Sequence, residues 1–330
     1  MRGFDETTVE IMRNSTLYFH YPCFDGLVTA VIASEFLLSQ EGWNITDFEP
    51  VDYTLRDTWL SNDLRKPAAV VDFLYHPQAE FWADHHETSI LTPAAKEDFE
   101  QRRHAAGILF DVRAKSCASL LFRTLRRFLD HKPHFKDMVV WAGKIDTAKY
   151  SSVKEAILGD APALRIARTL SVEEDTWRIY AEFLLLKLRD HNLAYVADLK
   201  EVKDREGKIR RSILNGLESV KSKLRLEKGE VAVFDARPKR DQVISRFAPY
   251  YFQPQARYSI AVVRSERGIR ITAMRNPWRN FRSIPLGKTF AKFGGGGHER
   301  VGALQLPPSR RNRVRDVVNS LLSEMQHRSR

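Results

Sequence analysis

Short apolar runs alternate with longer ones through the first half of this 330-residue chain. STLYFHY (15–21), ITDFEPVDY (45–53) and AAVVDFLY (68–75) have the length and the β-branched and aromatic content of strands. The longer run GLVTAVIASEFLLSQ (26–40) repeats its apolar residues at helical spacing. Strands that alternate with helices favour a largely parallel sheet, because parallel neighbours need a crossover connection. The pattern predicts an α/β domain with helices on both faces of the sheet.

A highly charged stretch with sparse apolar residues follows near residue 200 and predicts a solvent-exposed helical connector. Beyond it, more closely spaced strands, a helix around DQVISRFAPYYF (241–252) and a final basic helix indicate a smaller α+β domain. We therefore predict domains at 1–195 and 229–330, joined by a helical connector at 196–228.

Charge is distributed unevenly along the chain. Residues 1–190 carry a net charge of −6, whereas the remainder carries +17. The first half is suited to hold cations and the second to attract a polyanion. The alternative is that the lysines and arginines only solvate helix faces.

Two patterns in the sequence bear on where we expect the protein to be located. No apolar run approaches the roughly 18–20 residues that a membrane helix needs, and the acidic N-terminus has no secretory pattern. The two cysteines, Cys23 and Cys117, are too few for a disulfide framework and indicate reduced thiols. We expect a cytoplasmic protein that does not associate with membranes.

Polar residues end three of the early strands: His20, Asp72 and Asp84. The carboxyl ends of strands in an open α/β sheet border the crevice where ligands bind. Carboxylates and imidazoles without thiolate pairs are typical ligands of Mn²⁺, Mg²⁺ or Fe²⁺. The other candidates are Asp25, His85, His86 and Asp146. For each residue taken singly, an ordinary hydrogen-bonded histidine or a helix N-cap aspartate is the alternative.

The run of four glycines at 294–297 has two interpretations. Glycine brings backbone N–H groups close to an anion, and Lys292, His298 and Arg300 lie beside the run. Phosphate binding is one interpretation, and a flexible loop is the other.

Five motifs in order, HYPCFDGL, VVDF, ADHH, GKIDTAKY and FGGGGHERVGA, resemble the DHH phosphoesterase superfamily with its DHH-associated C-terminal domain. The resemblance spans residues 16 to about 306. Within that superfamily, the sequence looks most similar to the stand-alone nanoRNases and 3′-phosphoadenosine 5′-phosphate phosphatases. It implies a metal-binding catalytic domain followed by a substrate-binding domain.

The resemblance also implies a role for each matching residue. His20 and Asp25 would bind the first metal, Asp72 would bridge two metals, and His85 with Asp146 would complete the second site. Asp84 would orient its neighbours, and His86 would face the phosphate. The residues implied to bind substrate are Gly294, Gly295, Gly296, Gly297, His298 and Arg275, to which proximity adds Arg300 and Lys292.

Cys23 departs from the family pattern, because an aspartate is expected there. A cysteine removes a hard oxygen ligand from the first metal. Cys23 could bind a softer metal such as Zn²⁺ or Fe²⁺, leave the first metal weakly bound, or leave a single-metal centre. It could also be an ordinary strand-end residue.

These observations predict a phosphoesterase, dependent on two ions of Mn²⁺ or another divalent metal, that hydrolyses short RNA or DNA oligonucleotides or nucleotide phosphomonoesters by metal-activated water. The alternatives are a nucleotide or nucleic-acid binding protein with a decayed metal site, and a hydrolase of cyclic dinucleotides or polyphosphate. A homodimer is possible.

Overall fold

The computed structural model describes residues 13–171, 175–227, 230–266 and 268–327. They form two compact units. The N-terminal unit comprises the described residues up to Lys149 together with Ala161–Lys203, and the C-terminal unit comprises Tyr150–Asp160 and the described residues from Asp204 onward. The chain therefore visits the C-terminal unit once before it returns to complete the N-terminal one, an excursion absent from the sequence-based division.

The N-terminal unit contains a five-stranded parallel sheet with the order β2-β1-β3-β4-β5. This confirms the predicted α/β class and its parallel sheet. The strands are β1 (Arg13–His20), β2 (Trp43–Val51), β3 (Ala68–Val71), β4 (Phe81–Asp84) and β5 (Ile108–Phe110).

Apolar clusters cover both faces of this sheet, and alternate residues of each strand point to opposite faces. On β1, Leu17 and Phe19 join a large apolar cluster on one face, whereas Tyr18 joins a second cluster on the other face. Most helices of the unit contribute to the first cluster, and α2 supplies Ala95 and Phe99 to the second. The first eight helices in chain order are α1 (Phe24–Glu41), α2 (Pro93–Arg102), α3 (Cys117–Leu125), α4 (Phe135–Asp146), α5 (Val153–Leu158), α6 (Pro162–Thr169), α7 (Trp177–Asp190) and α8 (Leu193–Asp198). Of these, α5 belongs to the C-terminal unit.

The strand order creates a switch point between β1 and β3, because β2 lies beside β1 toward one edge of the sheet whereas β4 and β5 follow β3 toward the other edge. His20 is the last residue of β1, and Asp72 directly follows β3. The sheet therefore brings these two side chains, 52 residues apart in sequence, to the same crevice at its carboxyl edge.

The C-terminal unit is built on a six-stranded sheet with the order β10-β11-β9-β8-β7-β6, in which only β7 and β8 pair in parallel. Its strands are β6 (Arg225–Glu227), β7 (Val231–Ala236), β8 (Tyr258–Ser265), β9 (Gly268–Arg275), β10 (Gly296–His298) and β11 (Val301–Leu306). The remaining helices are α9 (Lys200–Lys221), α10 (Ala248–Phe252), α11 (Leu286–Ala291) and α12 (Arg313–His327). The helix predicted around 241–252 is thus confined to α10.

Helix α9 lies in the predicted connector, but it is packed along one side instead of being solvent-exposed throughout. Ile209, Ile213 and Leu217 are buried at intervals of four residues, which form one stripe of a helix. Gly216 lies so close to the backbone of Val243 that an added Cβ would meet the Val243 carbonyl oxygen at 2.0 Å. The few apolar residues of this charged segment are therefore enough to anchor it to the C-terminal unit.

Candidate metal centre

Eight side chains with donor atoms that can bind a metal ion lie close together at the carboxyl edge of the parallel sheet. They form overlapping groups, and within each group the donor atoms all lie within 4.8 Å of one another. The groups are His20 with Cys23 and Asp72, Asp25 with His85 and Asp146, and Asp72 with Asp84, His85 and His86. All the predicted metal ligands, including Cys23, thus belong to one cluster.

His85 is held so that one ring nitrogen faces the acids. Its Nδ1 lies 3.3 Å from the carbonyl oxygen of Ala114, which fixes the ring. Its Nε2 is buried without a hydrogen-bond partner. Carboxylate oxygens of Asp25, Asp72 and Asp146 each lie 3.7 Å from Nε2. Ligands bound at about 2.1 Å around one metal ion are separated by roughly 3–3.6 Å, so the observed 3.7 Å is close to the spacing of ligands of a common ion.

The carboxylate of Asp72 faces two imidazoles, those of His20 and His85. Its backbone has a φ of 54°, in the left-handed region, and its N–H donates to the carbonyl oxygen of Ala83 at 2.8 Å. Oδ2 lies 3.4 Å from Nδ1 of His20, and Oδ1 lies 3.7 Å from Nε2 of His85. Oδ1 is buried without a hydrogen-bond partner. The two oxygens are therefore directed to the two sides on which a bridging carboxylate would bind metals.

Asp25 is anchored to the N-terminus of α3. Its carboxylate accepts hydrogen bonds from the backbone N–H groups of Cys117 at 2.7 Å and Ala118 at 3.0 Å. This contact directs Asp25 toward His85 and Asp146 instead of toward His20, the residue with which the sequence-based interpretation grouped it. The correction follows from the start of α1, where Cys23 takes the place beside His20.

The electrostatics of the cluster favour a bound cation. Burial, followed by repulsion from Asp146, raises the pKa of Asp25 to about 6. Burial and the neighbouring Asp25 and Asp84 also raise the pKa of Asp72 well above its usual range. Burial and the nearby His86 lower the pKa of His20 to about 4, which leaves its imidazole neutral at pH 7. A divalent cation would relieve the repulsion among the acids and accept the neutral nitrogen.

Asp84 and His86 form a pair within the DHH tripeptide. The carboxylate oxygen Oδ1 of Asp84 lies 2.8 Å from Nδ1 of His86, and Oδ2 accepts the hydroxyl of Ser89. Burial disfavours the charged imidazole of His86, but the hydrogen bond and charge of Asp84 outweigh it and raise the pKa. This geometry suits the predicted role of Asp84 as an orienting residue.

The residues present therefore fit a divalent-metal site. Imidazole nitrogens, several carboxylate oxygens and one sulfur are available, and two of the atoms, Nε2 of His85 and Oδ1 of Asp72, are buried without hydrogen-bond partners. Donors of this kind are ligands of Mn²⁺, Fe²⁺ and Zn²⁺.

Three further residues support the site, although none of them was a candidate from the sequence. Tyr53 follows β2 and packs edge-on against His20 with a centroid distance of 4.9 Å, and burial raises the pKa of its hydroxyl. Ser89 binds Asp84, and the Ala114 carbonyl orients His85. The position of Tyr53 at the end of the predicted strand 45–53 was the one signal available in the sequence, since backbone contacts such as that of Ala114 leave no trace in side-chain identity.

In the C-terminal unit, Arg275 and Arg300 form a pair of like charges. The Arg275 backbone N–H donates to the Arg300 carbonyl at 2.9 Å, and burial with the charge of Arg300 lowers the pKa of Arg275. Carbonyl oxygens of Asn276 and Phe281 accept from the Arg275 guanidinium, which lies 4.4 Å from the Phe281 ring centroid. Within the described part of the chain, no carboxylate pairs with Arg275 or Arg300. An anion could therefore bind here.

The glycine run is partly explained by packing. Gly297 has a φ of 140°, and an added Cβ would meet the Val301 carbonyl oxygen at 2.2 Å, so the turn from β10 to β11 requires glycine. An added Cβ on Gly295 would meet the Ala303 carbonyl oxygen at 2.3 Å, whereas Gly294 and Gly296 border open space. Gly294 and Gly296 are therefore the two glycines of the run whose surroundings leave room for the predicted phosphate contact.

Lys292 and His298 are the two remaining predicted substrate contacts. The Lys292 ammonium pairs with Glu324 at 2.8 Å, which competes with a phosphate contact. His298 ends β10. Lys292 is therefore a weaker candidate than Arg275.

The parallel sheet, the acid–imidazole cluster at its switch point and the mixed-sheet unit together define the class of this protein as α/β with a DHH-like fold. The sequence matches no protein-family model and no curated protein. Similar solved structures include the pGpG-specific phosphodiesterase PggH from Vibrio cholerae, at a TM-score of 0.70 and 17% identity, covering 96% of this chain and 99% of that one.

Two other structures have the same fold at lower similarity. An exopolyphosphatase-related protein from Bacteroides fragilis has a TM-score of 0.53 and 13% identity, covering 96% of this chain and 93% of that one. RecJ in complex with Mn²⁺ from Thermus thermophilus has a TM-score of 0.56 and 14% identity, covering 96% of this chain and 52% of that one. The resemblance predicted from the motifs is confirmed for the fold. Across the described residues, no helix has both the length and the apolar composition to cross a membrane.

Proposed function

We propose that this protein is a metal-dependent phosphoesterase that hydrolyses short oligonucleotides or nucleotide phosphates by metal-activated water. One observation carries the proposal. Nε2 of His85 and Oδ1 of Asp72 are buried, face each other at 3.7 Å and have no hydrogen-bond partner. Buried polar atoms in folded proteins are nearly always paired, so two unpaired atoms that face each other indicate a ligand between them.

The metal ligands in this proposal come from three strand ends and two helices. They are His20, Asp25, Asp72, His85 and Asp146, with Asp72 shared between two positions. Mn²⁺ or another divalent ion bound there would lower the pKa of water and stabilise charge on a phosphate. The chain itself presents the neutral imidazole of His20 and fixes the ring of His85 through Ala114.

His86 supplies a positive charge for the substrate phosphate in this proposal. Its contact with Asp84 keeps a proton on Nδ1 and favours the imidazolium. An imidazolium donates charge-assisted hydrogen bonds to phosphate oxygens and stabilises charge as it develops in the transition state. Asp84 acts through His86 and is a positioning residue.

The C-terminal unit contributes phosphate binding. Arg275 is held by two carbonyl oxygens and the Phe281 ring, so its remaining N–H groups are fixed in orientation for an anion. Arg300 adds positive charge beside it. Gly294 and Gly296 leave space for an anion to approach the backbone, and His298 lies at the end of the same run.

The similar structures guide the choice of substrate. PggH is described as pGpG-specific, and the Bacteroides protein is related to exopolyphosphatases. RecJ was solved with Mn²⁺ or Mg²⁺. A linear dinucleotide with a 5′-phosphate and Mn²⁺ are therefore the first pair to test.

The test is an assay of metal-stripped protein reloaded separately with Mn²⁺, Mg²⁺ or Zn²⁺. The substrates are pGpG, a longer oligonucleotide, 3′-phosphoadenosine 5′-phosphate, a cyclic dinucleotide and polyphosphate. We expect hydrolysis of a short nucleotide substrate that EDTA abolishes. His85→Ala should lose at least about 100-fold in kcat/KM, whereas the exposed-residue control Asp137→Asn should keep the wild-type rate.

Two outcomes would contradict the proposal. Hydrolysis that survives both EDTA and His85→Ala would place the reaction elsewhere. Oligonucleotide binding that weakens steeply with salt, without cleavage under any metal, would favour the nucleic-acid binding alternative.

A further inference from the structure

We propose that Cys23 binds metal through its thiolate and gives the position shared with His20 and Asp72 a preference for Zn²⁺ or Fe²⁺ over Mn²⁺ and Mg²⁺. The inference rests on the proposed metal centre and specifies its chemistry. It makes the two metal positions unlike each other, one with a sulfur ligand and one with only nitrogen and oxygen ligands.

The position of Cys23 carries the first part of this inference. The residue precedes α1 in extended conformation, with φ −134° and ψ 133°. Its carbonyl accepts the Leu27 N–H at 3.0 Å, but its side chain makes no capping hydrogen bond to the helix. Sγ instead lies within 4.8 Å of the donor atoms of His20 and Asp72. The helix start thus holds the backbone while the thiol points into the cluster.

The second part of the inference concerns Asp72, the carboxylate that this group shares with the neighbouring metal position. The Asp72 side chain is 1% exposed, yet its Oδ1 has no hydrogen-bond partner. Its Oδ2 faces Nδ1 of His20 at 3.4 Å. The unpaired Oδ1 faces Nε2 of His85 at 3.7 Å, so Asp72 takes part in the neighbouring metal position through Oδ1 and leaves Oδ2 for the position on the His20 side. There the donor atoms are Oδ2 of Asp72, a ring nitrogen of His20 and Sγ of Cys23.

The donor atoms then determine metal preference. Thiolate is a soft ligand that favours Zn²⁺, Fe²⁺ and Co²⁺, whereas Mn²⁺ and Mg²⁺ favour oxygen. His20, Cys23 and Asp72 supply nitrogen, sulfur and oxygen, a mixed set typical of zinc and non-haem iron. The group of Asp25, His85 and Asp146 supplies nitrogen and two oxygens and keeps the harder preference.

Cys117 provides a matched control within the same chain, because these are its two cysteines. It is fully buried, and its thiol lies 3.2 Å from the carbonyl oxygen of Ala83, to which it donates. It belongs to none of the metal-ligand groups formed by the described residues. Any sulfur–metal signal can therefore be assigned by changing one cysteine at a time.

The experiment is a titration of metal-stripped protein with Co²⁺, followed by absorbance in the near-ultraviolet, where cobalt–thiolate charge transfer absorbs. We expect the band in wild type and in Cys117→Ser, and its loss in Cys23→Ser. Calorimetric titration should show that Cys23→Ser binds Zn²⁺ at least about 100-fold more weakly. Cys23→Asp should also lose the band but should bind Mn²⁺ more tightly than wild type does.

The possible failures are distinguishable. Calorimetric Co²⁺ binding without a thiolate band, or a band that persists in Cys23→Ser, would overturn the role of Cys23 and leave the proposed phosphoesterase intact. Failure to bind any divalent ion would overturn the metal centre and with it the proposed function. Far-ultraviolet circular dichroism of both Cys23 variants checks folding, and the tighter Mn²⁺ binding of Cys23→Asp separates a ligand role from general destabilisation.

Discussion

Replacing Asp72 by Asn should make the metal-free protein more stable while it destroys the metal centre. Asp72 is buried among like charges, and its φ of 54° is one that Asn tolerates well. Asn keeps the shape of the side chain and an oxygen for His20 but carries no charge. The substitution therefore isolates the electrostatic cost that a metal ion would remove.

The size of this effect follows from the geometry of the cluster. Asp25 and Asp72 each approach Nε2 of His85 within 3.7 Å, so their nearer oxygens are at most twice that distance apart. At an effective dielectric constant of about 20, two unit charges at that separation repel each other by about 2 kcal/mol. For a domain of this size, Asp72→Asn should raise the melting temperature of the metal-free N-terminal unit by about 4–8 °C at pH 7.5.

The assay is thermal unfolding of wild type and Asp72→Asn in EDTA and again in Mn²⁺. In EDTA the variant should melt higher, and Mn²⁺ should stabilise wild type far more than the variant. Asp137→Asn, an exposed change on α4, should stay within about 0.5 kcal/mol of wild type in both conditions. The reasoning is refuted if the variant melts below wild type in EDTA at pH 7.5, or if it binds Mn²⁺ as tightly.

Three further results are expected. Because the pKa of Asp25 is raised to about 6 in the folded state, ionised Asp25 should destabilise the metal-free protein by up to about 3 kcal/mol once the pH has risen from about 4 through 6. Asp25→Asn should therefore gain stability relative to wild type over this interval in EDTA, and a difference between the two melting temperatures that does not change with pH would contradict this assignment. Arg275→Gln should raise KM for a nucleotide substrate at least about tenfold without changing Mn²⁺ affinity measured by calorimetry, and an unchanged KM would remove Arg275 from the substrate site. Gly216→Ala should destabilise the C-terminal unit by about 2–4 kcal/mol, because its Cβ would lie 2.0 Å from the Val243 carbonyl oxygen, and an unaltered chemical-denaturation midpoint would show that α9 can shift.

Several parts of the fold and the site could be predicted from the sequence because they depend on local patterns. The period of apolar residues marks β1, α1 and β3, and alternation of such elements leads to a parallel sheet. Since every strand of that sheet runs in the same direction, the polar residues that end its strands must share an edge. The meeting of His20, Asp72 and Asp84 at this edge follows from the same logic.

Tertiary structure alone decided how those residues divide. Asp25 turns toward His85 because two N–H groups at the start of α3, more than 90 residues away in sequence, bind its carboxylate. Cys23 faces His20 because α1 begins there without using its side chain as a cap. The excursion of 150–160 likewise depends on long-range contacts, such as the hydrogen bond from Trp278 to the Tyr150 carbonyl. Such contacts join residues with no common periodicity or spacing, so the sequence named the candidate ligands, and the packing of distant elements determined which donor atoms share a metal position.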